Sequence, residues 1–271
     1  MEPTAKICER CGGRRFATFE VRGLAVARVC DCVPPCETCG GAGFVRGRNA
    51  RGYNETKPCE CRDLFRRVDR FSEAQIPAKY RENAFESYES KTPSQARAQA
   101  RLYELAKTIS AKSRGVLIAG PVGVGKTHLL VATLRYLTLE RGISCRFADF
   151  FHLLGNLREG YAQGRSDADL LGPLSTVDVL AIDELGKGRN TDWEYSILDE
   201  LVSRRYNLGA TTLLTTNYLD APPVEGRSTR GFSAKSVVET LEERVGARIY
   251  SRLLEMCEFL TLDGPDHRKN P

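Results

Sequence analysis

The residues best suited to chemistry are Gly120-Pro121-Val122-Gly123-Val124-Gly125-Lys126-Thr127, which fit the phosphate-binding pattern G-x-x-x-x-G-K-[ST]. Glycines at these spacings let backbone N–H groups turn inward around phosphate oxygens, at the positive end of the helix that follows. Lys126 is expected to reach the β- and γ-phosphates and the Thr127 hydroxyl to bind Mg²⁺, with His128 next in the same candidate run. A glycine-rich turn without a ligand is the bland alternative. The apolar run Val116–Ala119 before it and the helical periodicity of Thr127–Glu140 after it favour a nucleotide site for ATP.

Two further signals belong to the same chemistry. Val179-Leu-Ala-Ile182-Asp183-Glu184 is an apolar strand that ends in two acids, at the end of a parallel strand where an open α/β sheet binds its ligand. Asp183 is placed to hold Mg²⁺, and Glu184 to orient and activate the attacking water. Thr215-Thr216-Asn217 closes the next strand, so the Asn217 amide is a candidate to hold that water. Arg244, Arg248 and Arg252 recur every four residues in one expected helix and would share a face. A solvated basic stripe is the plain reading, above all for Arg244; an arginine reaching a neighbouring subunit's nucleotide is the functional one.

A separate chemistry lies upstream. Eight of the ten cysteines fall within Cys8–Cys61, in two echoes of one unit: Cys8-x-x-Cys11 with Cys30-x-Cys32, and Cys36-x-x-Cys39 with Cys59-x-Cys61. Four thiolates per unit suit tetrahedral Zn²⁺, two ions in all, with an iron–sulfur cluster as the alternative and an exchange of pairs between units left open. Residues 1–62 carry eleven Lys/Arg and seven Asp/Glu. Two zinc–thiolate centres bring that positive excess to about zero, which points to protein docking or folding rather than a strong DNA clamp. Cys145 and Cys257, at the edges of apolar runs, read as small core residues.

These groups need elements to position them. Residues 62–114 are charged and mostly helix-compatible, interrupted at Ile76-Pro77, and Ser94–Ser110 reads as a helix. Strands are expected at Arg146–Asp149, Val177–Ile182, Thr211–Thr216 and Glu258–Leu262. Helices are expected at Phe150–Tyr161 and around Trp193–Leu201. Alternation of this kind implies an α/β fold whose mainly parallel sheet is covered on both faces. Ala221–Ser236 reads as a loop. The domain reading is 1–62 as a double zinc-binding module, 63–114 as a helical linker and the N-terminal part of the ATPase region, and 115–271 as the P-loop ATPase domain. A net charge of +5 permits contact with nucleic acid without demanding it. No long apolar stretch and no basic, then apolar, start is visible, so a cytoplasmic protein without a membrane span is expected.

The assembled motifs resemble the bacterial replicative helicase loaders of the DnaC/DnaI family and the closely related IstB-type transposition ATPases. The residues that carry this are Gly125-Lys-Thr-His-Leu129, Ile182-Asp-Glu-Leu-Gly186, Arg205-Tyr206, Thr215-Thr-Asn217, Arg248-Ile-Tyr-Ser-Arg252-Leu and Asp266-His-Arg268; Ile76-Pro-Ala-Lys-Tyr80 with Phe85 is similar to the segment entering that family's core. The resemblance implies an AAA+ fold and an ATPase that forms a homo-oligomer on binding ATP. It implies a replicative DNA helicase and single-stranded DNA as partners, with duplex DNA as target on the transposition reading. It makes Arg252 the arginine finger with Arg248 its alternate, Arg268 a sensor-2-like arginine, and Asn217 the sensor-1 residue. The doubled cysteine unit and the arginine-containing loop Gly226–Lys235 depart from the pattern. The chain is expected to lack the helix-turn-helix domain of the similar initiator DnaA. A zinc-organised scaffold that holds ATP as a switch is a third reading, and Glu184 argues against it.

Overall fold

The computed structural model describes residues 8–219 and 239–269, so the expected loops 221–236 and 226–235 lie outside the described residues. Two small antiparallel hairpins come first: β1 (Phe16–Val21) with β2 (Leu24–Val29), and β3 (Phe44–Arg48) with β4 (Asn54–Pro58). Next come α1 (Arg62–Glu73), a short 3₁₀ turn at Ala78–Tyr80 and α2 (Pro93–Thr108). Five parallel strands then alternate with helices: β5 (Gly115–Ala119), α3 (Lys126–Leu139), β6 (Cys145–Asp149), α4 (Phe150–Ala162), α5 (Asp167–Leu170), α6 (Gly172–Thr176), β7 (Val179–Asp183), α7 (Asp192–Leu208), β8 (Thr211–Thr216), α8 (Leu241–Val245), α9 (Ala247–Met256) and β9 (Cys257–Thr261). The sheet order β6-β7-β8-β5-β9 puts β5 between β8 and β9.

The local reasons are readable. All residues of β5, β7 and β8 are buried, as parallel strands covered on both faces must be. β8 manages this with four threonines because each hydroxyl is bonded: Thr211 to Ser110 O, Thr212 to Ala210 O, Thr215 to Asp183 and Thr216 to Leu185 O. The helix α3 is buried almost all round, since the sheet, α1 and α2 enclose it. Thr92 with Gln95 and Thr191 with Glu194 form capping boxes that start α2 and α7. Cys145 and Cys257 are buried as expected, 3% and 0% exposed.

The structure departs from the sequence expectation in two places. Residues 81–92 are not helical but fold back along the P-loop. Gly246, at φ +82°, separates α8 from α9, so Arg244 is not on the helix of Arg248 and Arg252.

The two hairpins also sit differently. Phe16, Ala25 and Ala27 of the first share one apolar cluster with Leu64, Val68 and Phe71 of α1 and with Leu130 and Leu134 of α3. Ala25 N donates to Ile76 O at 2.7 Å, and Ala78 N to Gly23 O at 2.9 Å. The second hairpin contributes no buried residue from either strand.

Candidate nucleotide site and cysteine clusters

Parallel strands deliver their carboxyl ends to one edge, and there β5, β7 and β8 bring together Lys126, Thr127, Glu184, Thr215 and Asn217. They line a cavity of about 410 Å³ together with Val122, Gly123, Gly125, His128 and Arg268. The P-loop takes its shape because larger residues do not fit. At Gly123 (φ +83°) a Cβ would fall 1.9 Å from Asp266 Oδ1, and at Gly125 (φ +92°) 2.4 Å from the Tyr88 ring. Val124 is fully buried, and its carbonyl accepts from Tyr88 OH at 2.9 Å and Gln95 Nε2 at 3.3 Å. Beyond the start of the loop, Leu262 N donates to Ala119 O, and His267 N to Gly123 O.

Within that frame the polar groups hold one another. Lys126 Nζ donates to Gly120 O at 2.8 Å and Pro121 O at 2.7 Å, and burial pushes its pKa down to about 8 against the pull of Asp183 and Glu184. Thr127 Oγ1 lies 3.0 Å from both oxygens of Asp183, and Thr215 Oγ1 donates to the same carboxylate at 2.5 Å. Burial raises the Asp183 pKa, and these two hydroxyls resist the rise. The donor set of one hydroxyl and one carboxylate, side by side under the P-loop, fits the oxygen ligands that Mg²⁺ prefers. Glu184 has φ +57°, an uncommon backbone for a non-glycine residue, and Thr215 Oγ1 accepts its N–H at 2.9 Å. That turn aims its side chain off the strand end, where Lys187 Nζ pairs with it.

Several neighbours of the site went unread in the sequence. Lys79, Tyr80, Asn83, Ser87, Tyr88 and Glu89 also line the cavity, with Tyr88 packed directly on the P-loop. Ile76–Tyr80 carried a family signal, but nothing in its spacing placed it beside a phosphate. His128 Nε2 donates to Ala84 O at 2.9 Å, and burial lowers its pKa. Arg244 is no solvated stripe: it donates to Gly186 O at 2.5 Å and to Gly188 O, and stacks on Tyr218, clamping the turn that follows Glu184. Arg252 and Arg248 do not line this cavity. Arg252 Nη1 reaches Asp199 and Ser203 on α7, while Arg248 is 66% exposed. Arg158 and Tyr161 on α4 both lean on Trp193, and Tyr161 OH donates to Asp167.

The cysteines gather within each unit, not between units: Cys8, Cys11, Cys30 and Cys32 form one cluster, and Cys36, Cys39, Cys59 and Cys61 the other. Sulfur separations of 3.9 and 3.6 Å in the first, and 3.7 and 3.5 Å in the second, match the edge of a tetrahedron about a centre with Zn–S bonds of about 2.3 Å. Backbone N–H groups of Cys39 and Thr38 hold the Cys36 thiol down at about 6, while burial and the neighbouring sulfurs push its cluster partner Cys61 up to about 12. The residues therefore fit two zinc ions.

Residues 60–221 match the family described as IstB-like ATP binding protein. Over 148 residues the chain is 27% identical to the replicative helicase loader DnaC of Escherichia coli K12, covering 54% of this chain and 60% of that protein. It is 31% identical over 153 residues to a putative ATP-binding protein in an insertion sequence of Mycobacterium tuberculosis, covering 56% and 55%. The chain thus spans about 60% or less of the length of these curated relatives. A crystal structure of the DnaC helicase loader superimposes with a TM-score of 0.58 at 31% identity, over 68% of this chain and 99% of that one. Cys8 to Cys59 precede the family match.

Proposed function

Because the chain belongs to the IstB-like ATP-binding protein family, with a DnaC-type helicase loader as its structural counterpart, we propose that it is an AAA+ ATPase that loads a replicative DNA helicase onto single-stranded DNA. The carrying observation is that Lys126, Thr127, Glu184 and Asn217 converge on one cavity, with Asp183 bonded to Thr127 at its floor. Lys126 leaves the Gly120 and Pro121 carbonyls for the β- and γ-phosphates of ATP, exchanging neutral acceptors for charged ones. Thr127 and Asp183 would hold Mg²⁺, which neutralises charge on the phosphate oxygens. Glu184 takes the proton of the attacking water, and Asn217 orients that water. Arg268, at the cavity rim, adds a cation toward the phosphates. Arg252, or Arg248 in its place, serves the site of a neighbouring subunit, so hydrolysis awaits assembly of the homo-oligomer. The two zinc ions order the N-terminal hairpins.

The test is transfer of the cognate replicative helicase onto circular single-stranded DNA by the purified chain, with and without ATP. Loading above the helicase-alone level supports the reading. No loading together with ATP-dependent binding to duplex DNA moves the protein to the transposition reading.

A further inference from the structure

The near-neutral charge of residues 1–62 is an average, and the β3–β4 hairpin divides it unevenly. The register pairs Phe44 with Pro58, Arg46 with Thr56 and Arg48 with Asn54. Strand alternation puts these six residues on one face, all of them exposed and none acidic. The hairpin's acid, Glu55, lies on the opposite face and is paired with Lys57 at 3.1 Å. At the tip Arg51 is exposed, and Tyr53 is 69% exposed on a turn held by Asn49, whose Oδ1 accepts from Arg51 N and Tyr53 N. Among the described residues no carboxylate pairs with Arg46, Arg48 or Arg51. Phe44 and Tyr53 belong to neither apolar cluster, and Arg62 stacks at 4.5 Å on the Phe44 ring. Five-residue strands set the tip roughly 15 Å from the cysteine cluster at the hairpin's base. That is beyond the screening length of about 8 Å at physiological salt, so the thiolate charge does not cancel Arg48 and Arg51 near the tip.

We propose that the β3–β4 hairpin is a contact surface for single-stranded DNA. Phosphates sit on Arg46, Arg48 and Arg51, and bases stack on Tyr53 and Phe44. Charge complementarity selects a polyanion, and two exposed rings select one whose base faces are open, which a duplex does not offer. The choice of DNA over RNA rests on the loader reading; the charge and stacking argument stands without it. On this proposal the second half of the module touches DNA, where the near-neutral total charge points to protein docking or folding.

The experiment uses the full zinc-loaded chain without nucleotide and follows anisotropy of labelled single-stranded DNA, matched RNA and duplex across a salt series. Arg46→Ala combined with Arg48→Ala is expected to weaken single-stranded DNA binding tenfold or more. It should also flatten the salt slope by about 1.4, since each phosphate contact on a single strand contributes about 0.7. Tyr53→Ala is expected to weaken binding about fivefold or more with the slope unchanged, and Tyr53→Phe to restore it. Wild-type zinc content and ATP affinity in each variant establish that it is folded. Unchanged DNA affinity in the folded variants overturns the proposal. So does tighter binding of duplex or RNA than of single-stranded DNA, or loss of helicase capture with DNA binding intact. A chain that fails to load helicase, yet loses DNA in these variants, sinks the loader reading and leaves this one standing.

Discussion

Asp199 on α7 accepts a hydrogen bond from Arg252 on α9 at 2.8 Å, and the same oxygen faces Arg248 Nε at 3.6 Å. One carboxylate thus gathers the two arginines proposed for a neighbour's nucleotide, and Arg252 also reaches Ser203 at 2.8 Å. Arg252→Ala is expected to bind ATP normally and to lose hydrolysis at least tenfold, as removal of a trans-acting arginine does. Mixing it with Glu184→Gln subunits should restore turnover, because a mixed interface pairs an intact arginine with an intact acid. Steady-state ATPase rates at several mixing ratios check this. Full activity in Arg252→Ala and loss in Arg248→Ala would give the role to the more exposed arginine.

Lys126 ties nucleotide binding to pH. Burial pushes its pKa to about 8, so the free protein loses this charge as pH rises through 8. Bound phosphates restore the proton, which means ATP binding takes up protons above pH 8 and weakens with rising pH. The stability contribution runs the other way. The unfolded chain binds more protons here between about 8 and 10.5, so stability rises across that window as the buried charge is relieved. Calorimetric titration with ATP in buffers of different ionisation enthalpy measures the uptake. No proton uptake at pH 9 would show that Lys126 stays charged in the free protein. Lys126→Ala should lose ATP affinity tenfold or more.

The core and the phosphate loop were legible because their signals are local. Buried parallel strands are apolar runs, and Gly120–Thr127 combines a fixed spacing with a strand before and a helix after. The cysteine clusters were legible from spacing, although only the fold decides that Cys8 meets Cys32 and not Cys61. Tyr88 and Lys79 were not legible, since their place depends on residues 81–92 folding back against the loop. Arg244 was misread because periodicity ignores the break that Gly246 makes. The different seating of the two hairpins was hidden by the repeat itself, whose copies share cysteine spacing but not Ala25 and Ala27, the small residues that let the first lie on α1.

Glu184 is held at three points. Thr215 fixes its backbone, Lys187 pairs with its carboxylate, and Arg244 clamps the Gly186 and Gly188 carbonyls beyond it. Glu184→Gln should bind ATP and turn it over at least a hundredfold more slowly, since an amide takes no proton. Lys187→Met leaves the carboxylate without its cation, and its effect should appear as a several-fold fall in steady-state ATP turnover with ATP affinity kept. Unchanged turnover in Lys187→Met would show that the ion pair does not persist in the nucleotide-bound enzyme.

Arg205 is 1% exposed and has five hydrogen bonds, to Thr212 Oγ1 and to the carbonyls of Leu174, Ser175, Val177 and Thr211, with no carboxylate among them. Burial pushes its pKa down to about 10. A lysine ammonium has three donors at one point and cannot span these acceptors. Arg205→Lys is therefore expected to cost about 2–4 kcal/mol of stability, from carbonyls left unbonded in the interior. Urea unfolding read against ATP affinity separates this from a catalytic role, because the folded fraction should bind ATP as the parent does.

The two cysteine clusters should fail differently when broken. The first hairpin shares its apolar cluster with α1 and α3, so Cys11 holds a strand pair that completes the core under the P-loop helix. The second contributes nothing buried from β3 or β4, and losing it exposes little that was covered. Cys11→Ser is expected to remove one zinc and lower the melting temperature by about 5 °C or more, as loss of about 2 kcal/mol does in a chain of this size. Cys36→Ser should also remove one zinc, yet leave the main transition and ATP affinity within about 1 °C and twofold of the parent, because only the outer hairpin unravels. Elemental analysis gives the zinc count, and calorimetry the transitions. Equal destabilisation by both substitutions would mean that the second centre also braces the core. A brown, iron-containing protein would replace zinc in both.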